Sequence, residues 1–325
     1  MRVELSPDDA HVIYVTADDD DSSLVIDLYG VPLDGSTPPV RFNENRFGVA
    51  PSAPNGERML FFESGAFGGI PKLQSIRLDG SERVNLAPRS GYVDSRGLRI
   101  LPASQHAVFA TSAGASGPFT TGPYGLFMAA LDGSQTERIL APSTDPIHLI
   151  DVIPGSTGLV YVTFNAGTRR LFSLQRPFDP HSLIGDPPPL QGVDDAMPPL
   201  SPSDPTPAPP IVITPDGTRV VFRADLDADE VYGIYSALLD GSQPYVRLND
   251  PLTSTGDVLS FRLSWDGKRV IYMADPFANE VFELFSVPID RSSSPVRLNQ
   301  PPVGGGDVQI YLPEPRPKGR AAPGP

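Results

Sequence analysis

The sequence contains no cysteine, one tryptophan (Trp265) and four histidines in 325 residues. Without thiols, disulfide scaffolds, thiolate metal centres and cysteine nucleophiles are excluded. Positive charge is also scarce. The 25 Lys and Arg face 39 Asp and Glu, for a formal net charge of −14. Affinity for nucleic acid comes mainly from cations that neutralise phosphates, so a nucleic-acid partner is not expected. Long apolar runs are missing too. Ile100 to Leu131 carries no Asp, Glu, Lys or Arg, but Pro102, Pro118 and Pro123 interrupt it. A membrane span needs about 20 predominantly apolar residues, and none is expected here. Met1 to Leu5 runs straight into Ser6-Pro7-Asp8-Asp9. No signal peptide is therefore expected. The compartment stays unassigned, and would be extracytoplasmic (periplasmic) only if the N-terminus were truncated.

The familiar catalytic signatures are absent as well. There is no Gly-x-Ser-x-Gly elbow, His-Glu-x-x-His pair, Gly-x-Gly-x-x-Gly fingerprint or Walker Gly-Lys-Ser/Thr. His11, His106, His148 and His181 are scattered at unlike positions. They read as ordinary polar or half-buried imidazoles rather than as a convergent metal set.

What is abundant is turn residues. The 39 Pro and 30 Gly make up about a fifth of the chain, below the roughly 25–30% that marks non-periodic disorder. They fall in a repeat. Near the start it runs Ser6-Pro7-Asp8-Asp9, HVIYVTAD (11–18), IDLYGVPLDGS (26–36) and PVRFN (39–43). A second clear copy runs Thr214-Pro215-Asp216-Gly217, RVVFRAD (219–225), GIYSALLDGS (233–242) and YVRLN (245–249). A third follows with Ser264-Trp265-Asp266-Gly267, RVIYMAD (269–275), ELFSVPID (283–290) and PVRLN (295–299). Three degraded copies lie between the first and second, which makes six units.

Each unit predicts four short strands, a to d. The β-branched and aromatic runs are bounded by turn residues. Ser/Thr-Pro-Asp-Gly suits a type I turn between a and b, and Asp-Gly a tight hairpin between c and d. Such a unit cannot bury both faces alone, and a ring of them is a β-propeller. The fold expected is all-β: a six-bladed β-propeller of four-stranded antiparallel blades. It spans residues 1–312, with a disordered Pro-rich tail at 313–325. Residues 176–210 hold twelve Pro and read as an insertion between blades four and five.

The units resemble TolB-type propeller repeats, which carry the Ser-Pro-Asp-Gly turn, a Tyr/Phe-x-Ala-Asp strand end and a Leu-Tyr-Ser-x-x-Leu-Asp-Gly stretch. The resemblance is strongest in units one, five and six. It implies a binding platform, of a type also found beside hydrolase domains. The repeat motif is structural in that family, so no catalytic residue is implied.

Strand alternation puts the uniform a–b and c–d turns on one face and the variable b–c and d–a loops on the other. Function tends to sit on variable loops held by a rigid scaffold. The b–c loops of units two and three are Gly-rich with the aromatics Phe67, Phe119 and Tyr124. Those of units one and five carry Asp18, Asp19, Asp20 and Asp21, and Asp225, Asp227, Asp229 and Glu230; Asp275 and Glu280 belong to unit six. Asp-x-Asp-x-Asp is similar to a Ca²⁺ loop, but Glu230 and Ser236 stand where that loop needs Gly and Glu. A solvated turn is the first reading, weak divalent-cation binding the second. Trp265 is expected to pack, and the recurring Arg41, Arg247 and Arg297 to bond between blades.

The function expected is a non-enzymatic binding or scaffold propeller, monomeric and without a cofactor. Its partner would be a protein, peptide or glycan, with cationic character favoured by the acidic loops. The alternative is a propeller hydrolase or lyase, or the propeller module of a larger peptidase. Asp307-Val308-Gln309-Ile310-Tyr311-Leu312 also matches Asp257 to Arg262, one strand beyond the sixth unit, which either pairs with the first blade as a closing clasp or begins a lost seventh unit.

Overall fold

A computed structural model describes residues 3–6, 8–17, 26–44, 50–54, 57–63, 71–87, 92–93, 98–101, 105–112, 124–139, 145–155, 158–165, 168–174, 189–194, 211–228, 231–278, 281–300 and 308. Among them there is no helix, and the strands form six sheets. The first holds β1 (Val3–Leu5), β2 (His11–Ala17), β3 (Ile26–Pro32) and β4 (Val40–Arg41). The second holds β5 (Ala50–Pro54), β6 (Arg58–Glu63), β7 (Lys72–Arg77) and β8 (Val84–Asn85). In the third, β9 (Tyr92–Val93) and β10 (Arg99–Ile100) both pair with β11 (His106–Ser112), followed by β12 (Tyr124–Ala130) and β13 (Thr136–Arg138). The fourth is β14 (Ile147–Val152), β15 (Leu159–Asn165), β16 (Thr168–Leu174) and β17 (Pro189–Asp194). The fifth is β18 (Ile211–Ile213), β19 (Arg219–Ala224), β20 (Gly233–Leu238) and β21 (Val246–Arg247). The sixth is β22 (Val258–Leu263), β23 (Arg269–Ala274), β24 (Glu283–Pro288) and β25 (Val296–Arg297). Within each sheet the hydrogen-bonded order follows the chain.

The Pro-rich stretch departs from expectation. It is not wholly an insertion, because β17 lies inside it as the fourth strand of its sheet. Pro189 opens that strand, where a missing N–H does not interrupt the ladder.

Two compact units are present, and their boundary passes through the fifth sheet. One is Met1–Ala196 with Ile213–Val220 and Ala237–Tyr245; the other is Met197–Val212 with Val221–Ser236 and Val246–Pro325. In the first unit, one apolar cluster joins sheets one and two through Leu28, Phe42, Phe61 and Ile76. A second joins sheets two and three through Leu73, Leu86, Phe109 and Leu131, and a third joins sheets three and four. In the second unit, Ile234 and Leu248 of sheet five pack with Val258, Phe261 and Tyr272 of sheet six. A facing aromatic pair recurs across strands b and c: Tyr14 on Tyr29, Tyr161 on Phe172, and Tyr272 on Phe285, with centroids 5.0 to 5.4 Å apart. Such pairs add about 0.5–1.5 kcal/mol beyond burial.

Polar bonds tie successive sheets as well. Arg58 Nε donates to Ser75 Oγ at 2.8 Å, and that hydroxyl donates onward to the Leu131 carbonyl of sheet three at 2.7 Å. Glu44 N–H donates to Glu63 Oε1 at 2.7 Å, and Arg83 pairs with both carboxylates.

The a–b turn repeats atom for atom. Thr214 N–H bonds the Arg219 carbonyl, Arg219 N–H bonds Thr214 Oγ1, and Thr214 Oγ1 donates to Asp216 Oδ1. Ser264 with Asp266 and Ser6 with Asp8 do the same. In the c–d turns, Asp34, Asp79, Asp132 and Asp240 each accept from the N–H of the Ser two residues on. The two turns of one sheet are stitched together, for instance by Leu239 N–H to the Thr218 carbonyl at 2.9 Å.

These bonds favour the ionised carboxylates. The Ser6, Thr214 and Ser264 hydroxyls lead in holding Asp8, Asp216 and Asp266 below the ordinary carboxylate range. The native state thus keeps them ionised at a pH where the unfolded chain protonates them. Their stabilisation is complete above the ordinary carboxylate value of about 4 and fades as pH falls through the lowered native values. Thermal melts should therefore hold steady at mildly acidic pH and fall below about pH 4. The triple exchange Asp8→Asn, Asp216→Asn, Asp266→Asn should flatten that fall, and an unaltered profile would contradict the assignment.

Backbone strain separates the turns. Gly217 and Gly267 take φ +69°, whereas Asp9 holds the same place at φ 55°. Asp9→Gly should stabilise the chain by about 0.5–1 kcal/mol in urea titration, since left-handed backbone suits Gly. Gly217→Ala should do the opposite, because its Cβ would lie 2.6 Å from the Pro154 carbonyl oxygen.

Candidate functional site

The loop end of each sheet is where the units differ, and two b–c loops are described there except for residues 229–230 and 279–280. Residues 225–234 and 275–284 have equal length and pair position by position: Asp225 with Asp275, Asp227 with Phe277, Gly233 with Glu283, Ile234 with Leu284. Both close with the same backbone bond, Val231 N–H to the Ala228 carbonyl and Val281 N–H to the Ala278 carbonyl.

In the fifth sheet Asp227 is held from two sides. The Tyr235 hydroxyl donates to Asp227 Oδ2 at 2.8 Å, and Arg247 Nη1 pairs with that oxygen at 3.1 Å. A Cβ on Gly233 would lie 2.8 Å from the Tyr235 hydroxyl oxygen, so glycine leaves the phenol its room. The sixth sheet solves the same problem differently. Arg297 Nη1 bonds both oxygens of the buried Glu283 at 3.0 and 3.2 Å, and Phe285 replaces the tyrosine. With the carboxylate moved into the strand, the loop position becomes Phe277, 72% exposed. In the first sheet Arg41 Nε pairs with Asp27 at 3.2 Å.

The recurring arginines therefore bond within their own sheet, not between blades. Each reaches a carboxylate on strand c or the b–c loop, because strand d lies directly beside strand c. Trp265 also departs from expectation. It sits in the a–b turn where Pro7, Pro102, Pro154 and Pro215 stand in other units, and is 87% exposed rather than packed.

Asp275 belongs to the interior. It is buried and accepts the Asp257 N–H, while Asp257 Oδ1 accepts the Tyr232 N–H at 2.7 Å. Asp225 holds the equivalent repeat position, and the guanidinium of its neighbour Arg223 stacks over the Tyr232 ring at 4.5 Å. Tyr124 is the first residue of β12 and packs in the cluster of sheets three and four. Burial raises its phenol above the ordinary value. Asp18, Asp19, Asp20, Asp21, Phe67, Phe119, Asp229 and Glu230 lie outside the described residues. The structure thus brings Asp225, Asp227 and Asp275 to corresponding loop ends and leaves Asp227 as an ion-paired, partly exposed acid.

Sequence reading missed the Tyr235–Asp227–Arg247 clamp and the exposed Phe277. A 50-residue offset alignment of the two loops would have exposed both, since Asp→Phe and Gly→Glu change together. Among the described residues no group of three or more His, Asp and Glu side chains is placed to hold a metal ion. No helix among them is long and apolar enough to cross a membrane.

No protein-family model matches the sequence, and a search of curated proteins finds no match. Solved structures do match. Dipeptidyl peptidase 4 of Porphyromonas gingivalis superposes with a TM-score of 0.65 at 13% identity, over 92% of this chain and 46% of that one. A puromycin-hydrolyzing peptidase of Mycobacterium tuberculosis gives 0.53 at 11% identity, over 93% and 47%. An oligogalacturonate lyase in complex with manganese gives 0.50 at 13%, over 90% and 74%. The fold is that of a β-propeller. The chain spans about half the length of the peptidases it matches.

The arginine clamps differ in burial, which sets what each is worth. Arg297→Ala strands the buried Glu283 and should cost about 3 kcal/mol or more. Arg247→Ala frees a carboxylate whose side chain is 41% exposed, and should cost about 1 kcal/mol or less. Urea unfolding of the two variants checks the order.

Proposed function

We propose that this chain is the propeller module of a peptidase-type protein, a binding platform without chemistry of its own. The observation that carries this reading is the superposition on dipeptidyl peptidase 4 over 92% of the chain and 46% of the peptidase. The six sheets are read as six four-stranded blades, and the Ser-Pro-Asp-Gly and Leu-Asp-Gly-Ser turns as TolB-type repeats. Peptide is the substrate class, presented to the b–c loops. The turn end supports this choice of face by its uniformity, since its Ser, Thr and Asp side chains are engaged in turn bonds.

The acidic loops add a preference for cationic peptides. Asp18 to Asp21, Asp225, Asp229 and Glu230 supply the charge, with Phe67, Phe119 and Phe277 as apolar contacts. Asp227 contributes less, because Arg247 neutralises it. A surface of one sign concentrates ligands of the other, and salt weakens the effect over about 8 Å at physiological ionic strength.

Two measurements on the purified chain test the reading. Lys/Arg-rich peptides should bind more tightly than Asp/Glu-rich ones at low salt, and the preference should vanish when Asp18–Asp21 and Asp229 become Asn. Equal binding by that variant would make the acidic loops a solubilising surface only. Chromogenic dipeptidyl substrates should remain intact, and turnover that co-purifies with the chain would overturn the non-catalytic assignment.

A further inference from the structure

Four sheets set an arginine of strand d directly across from an aromatic residue of strand c: Arg41 from Tyr29, Arg138 from Phe127, Arg247 from Tyr235 and Arg297 from Phe285. In sheets one, five and six the arginine holds a carboxylate of its own sheet. Asp27 and Glu283 stand two residues before the aromatic, and Asp227 comes from the loop where Gly233 holds that place. The third sheet departs from this rule. Gly125 stands two residues before Phe127, as Gly233 does before Tyr235, yet the loop supplies no acid. The stretch from Ile100 to Leu131, which holds the whole b–c loop and strand c, contains no Asp or Glu. Among the described residues Arg138 pairs with no carboxylate. It is exposed, and its guanidinium rests over the Phe127 ring, 5.2 Å from the centroid.

A guanidinium seated on an aromatic face is held in place while keeping its N–H donors for another partner. Its planar fork matches a carboxylate, which can accept two parallel bonds. Gly125 adds the room. A Cβ there would lie 2.8 Å from Phe127 Cε2 and 3.5 Å from Arg138 Nε, so glycine keeps strand c clear of the arginine. We infer that Arg138 binds a carboxylate carried by a ligand, in the place beside strand c where sheets one, five and six supply their own. The ligand group is the C-terminal carboxylate of a peptide or the side chain of an Asp or Glu. This inference goes beyond the peptidase reading and does not depend on it, since any partner bearing a carboxylate meets the same arginine.

Proton–nitrogen spectra of the arginine side chains test the site on the intact chain, with N-acetylglycine as the probe. Its carboxylate should shift the Arg138 Nε–H resonance saturably, and N-acetylglycinamide should not. Arg138→Lys identifies that resonance by removing it. The Arg41, Arg247 and Arg297 resonances should stay in place, because their carboxylates are already supplied. N-acetylaspartic acid α-amide carries its carboxylate on the side chain instead. Binding of either probe supports the site, and the tighter one names the source. Gly125→Glu reproduces the Glu283, Phe285 and Arg297 arrangement of the sixth sheet. It should move the Arg138 resonance without any probe and weaken probe binding about five-fold, the worth of one exposed ion pair. Should that variant fail to fold, Arg138→Gln decides: saturation transfer to the N-acetylglycine methyl should drop to the level seen with N-acetylglycinamide. An Arg138 resonance that neither carboxylate moves would overturn the inference, as would equal shifts at Arg247 and Arg297. Equal titration by inorganic phosphate would overturn it too, leaving only a general anion patch.

Discussion

A sheet of four short strands with apolar side chains on both faces cannot exist alone, and this constraint organises the molecule. In β6 all six residues from Arg58 to Glu63 are buried, so neither face of that strand meets water. Such a sheet must bury its apolar faces against neighbouring sheets. The observed clusters do this in pairs: one with two, two with three, three with four, five with six. Hydrophobic burial supplies the drive at about 25 cal/mol per Å². The polar bridges, such as Arg58 through Ser75 to Leu131, set the register at which the apolar faces meet.

The turn end follows from the same demand. Close packing needs every unit to present the same shape, and the Ser/Thr-x-Asp and Asp-Gly-Ser turns enforce it with short local bonds. Gly80 shows how little slack exists. It takes φ +84°, and a Cβ there would sit 2.4 Å from Val40 Cγ1 of the neighbouring sheet. Arg291 holds the corresponding place in the sixth sheet at φ 57°, bonding the Leu248 carbonyl at 2.8 Å and pairing with Asp250. A strained backbone is tolerated where the side chain ties two sheets together.

The loop end obeys a looser rule, and that is where units have diverged. What is kept is a charge pair between strand d's arginine and an acid beside strand c. The acid comes from the strand in sheets one and six and from the loop in sheet five. Moving it changes what the loop exposes, from a paired carboxylate to a phenylalanine. Variation of exposed loop chemistry is thus coupled to a structural requirement, and in sheet five the loop acid Asp227 is a scaffold residue.

Strand runs and turn types were legible from residues alone because they depend on interactions within a few positions. Pro-Asp-Gly makes its turn from its own hydroxyl and carboxylate neighbours, and Val-Ile-Tyr-Val extends wherever it lies. The acid at 227 was legible as an acid but not as a clamped one, since its partners Tyr235 and Arg247 approach from two other strands. The fate of Trp265, the sheet-internal reach of Arg41, Arg247 and Arg297, and the burial of Tyr124 were likewise hidden. Each depends on which side chain another segment brings near, a distance that chain order does not contain. Local sequence determined the elements and their ends; packing between them decided which polar and aromatic residues became scaffold and which stayed exposed.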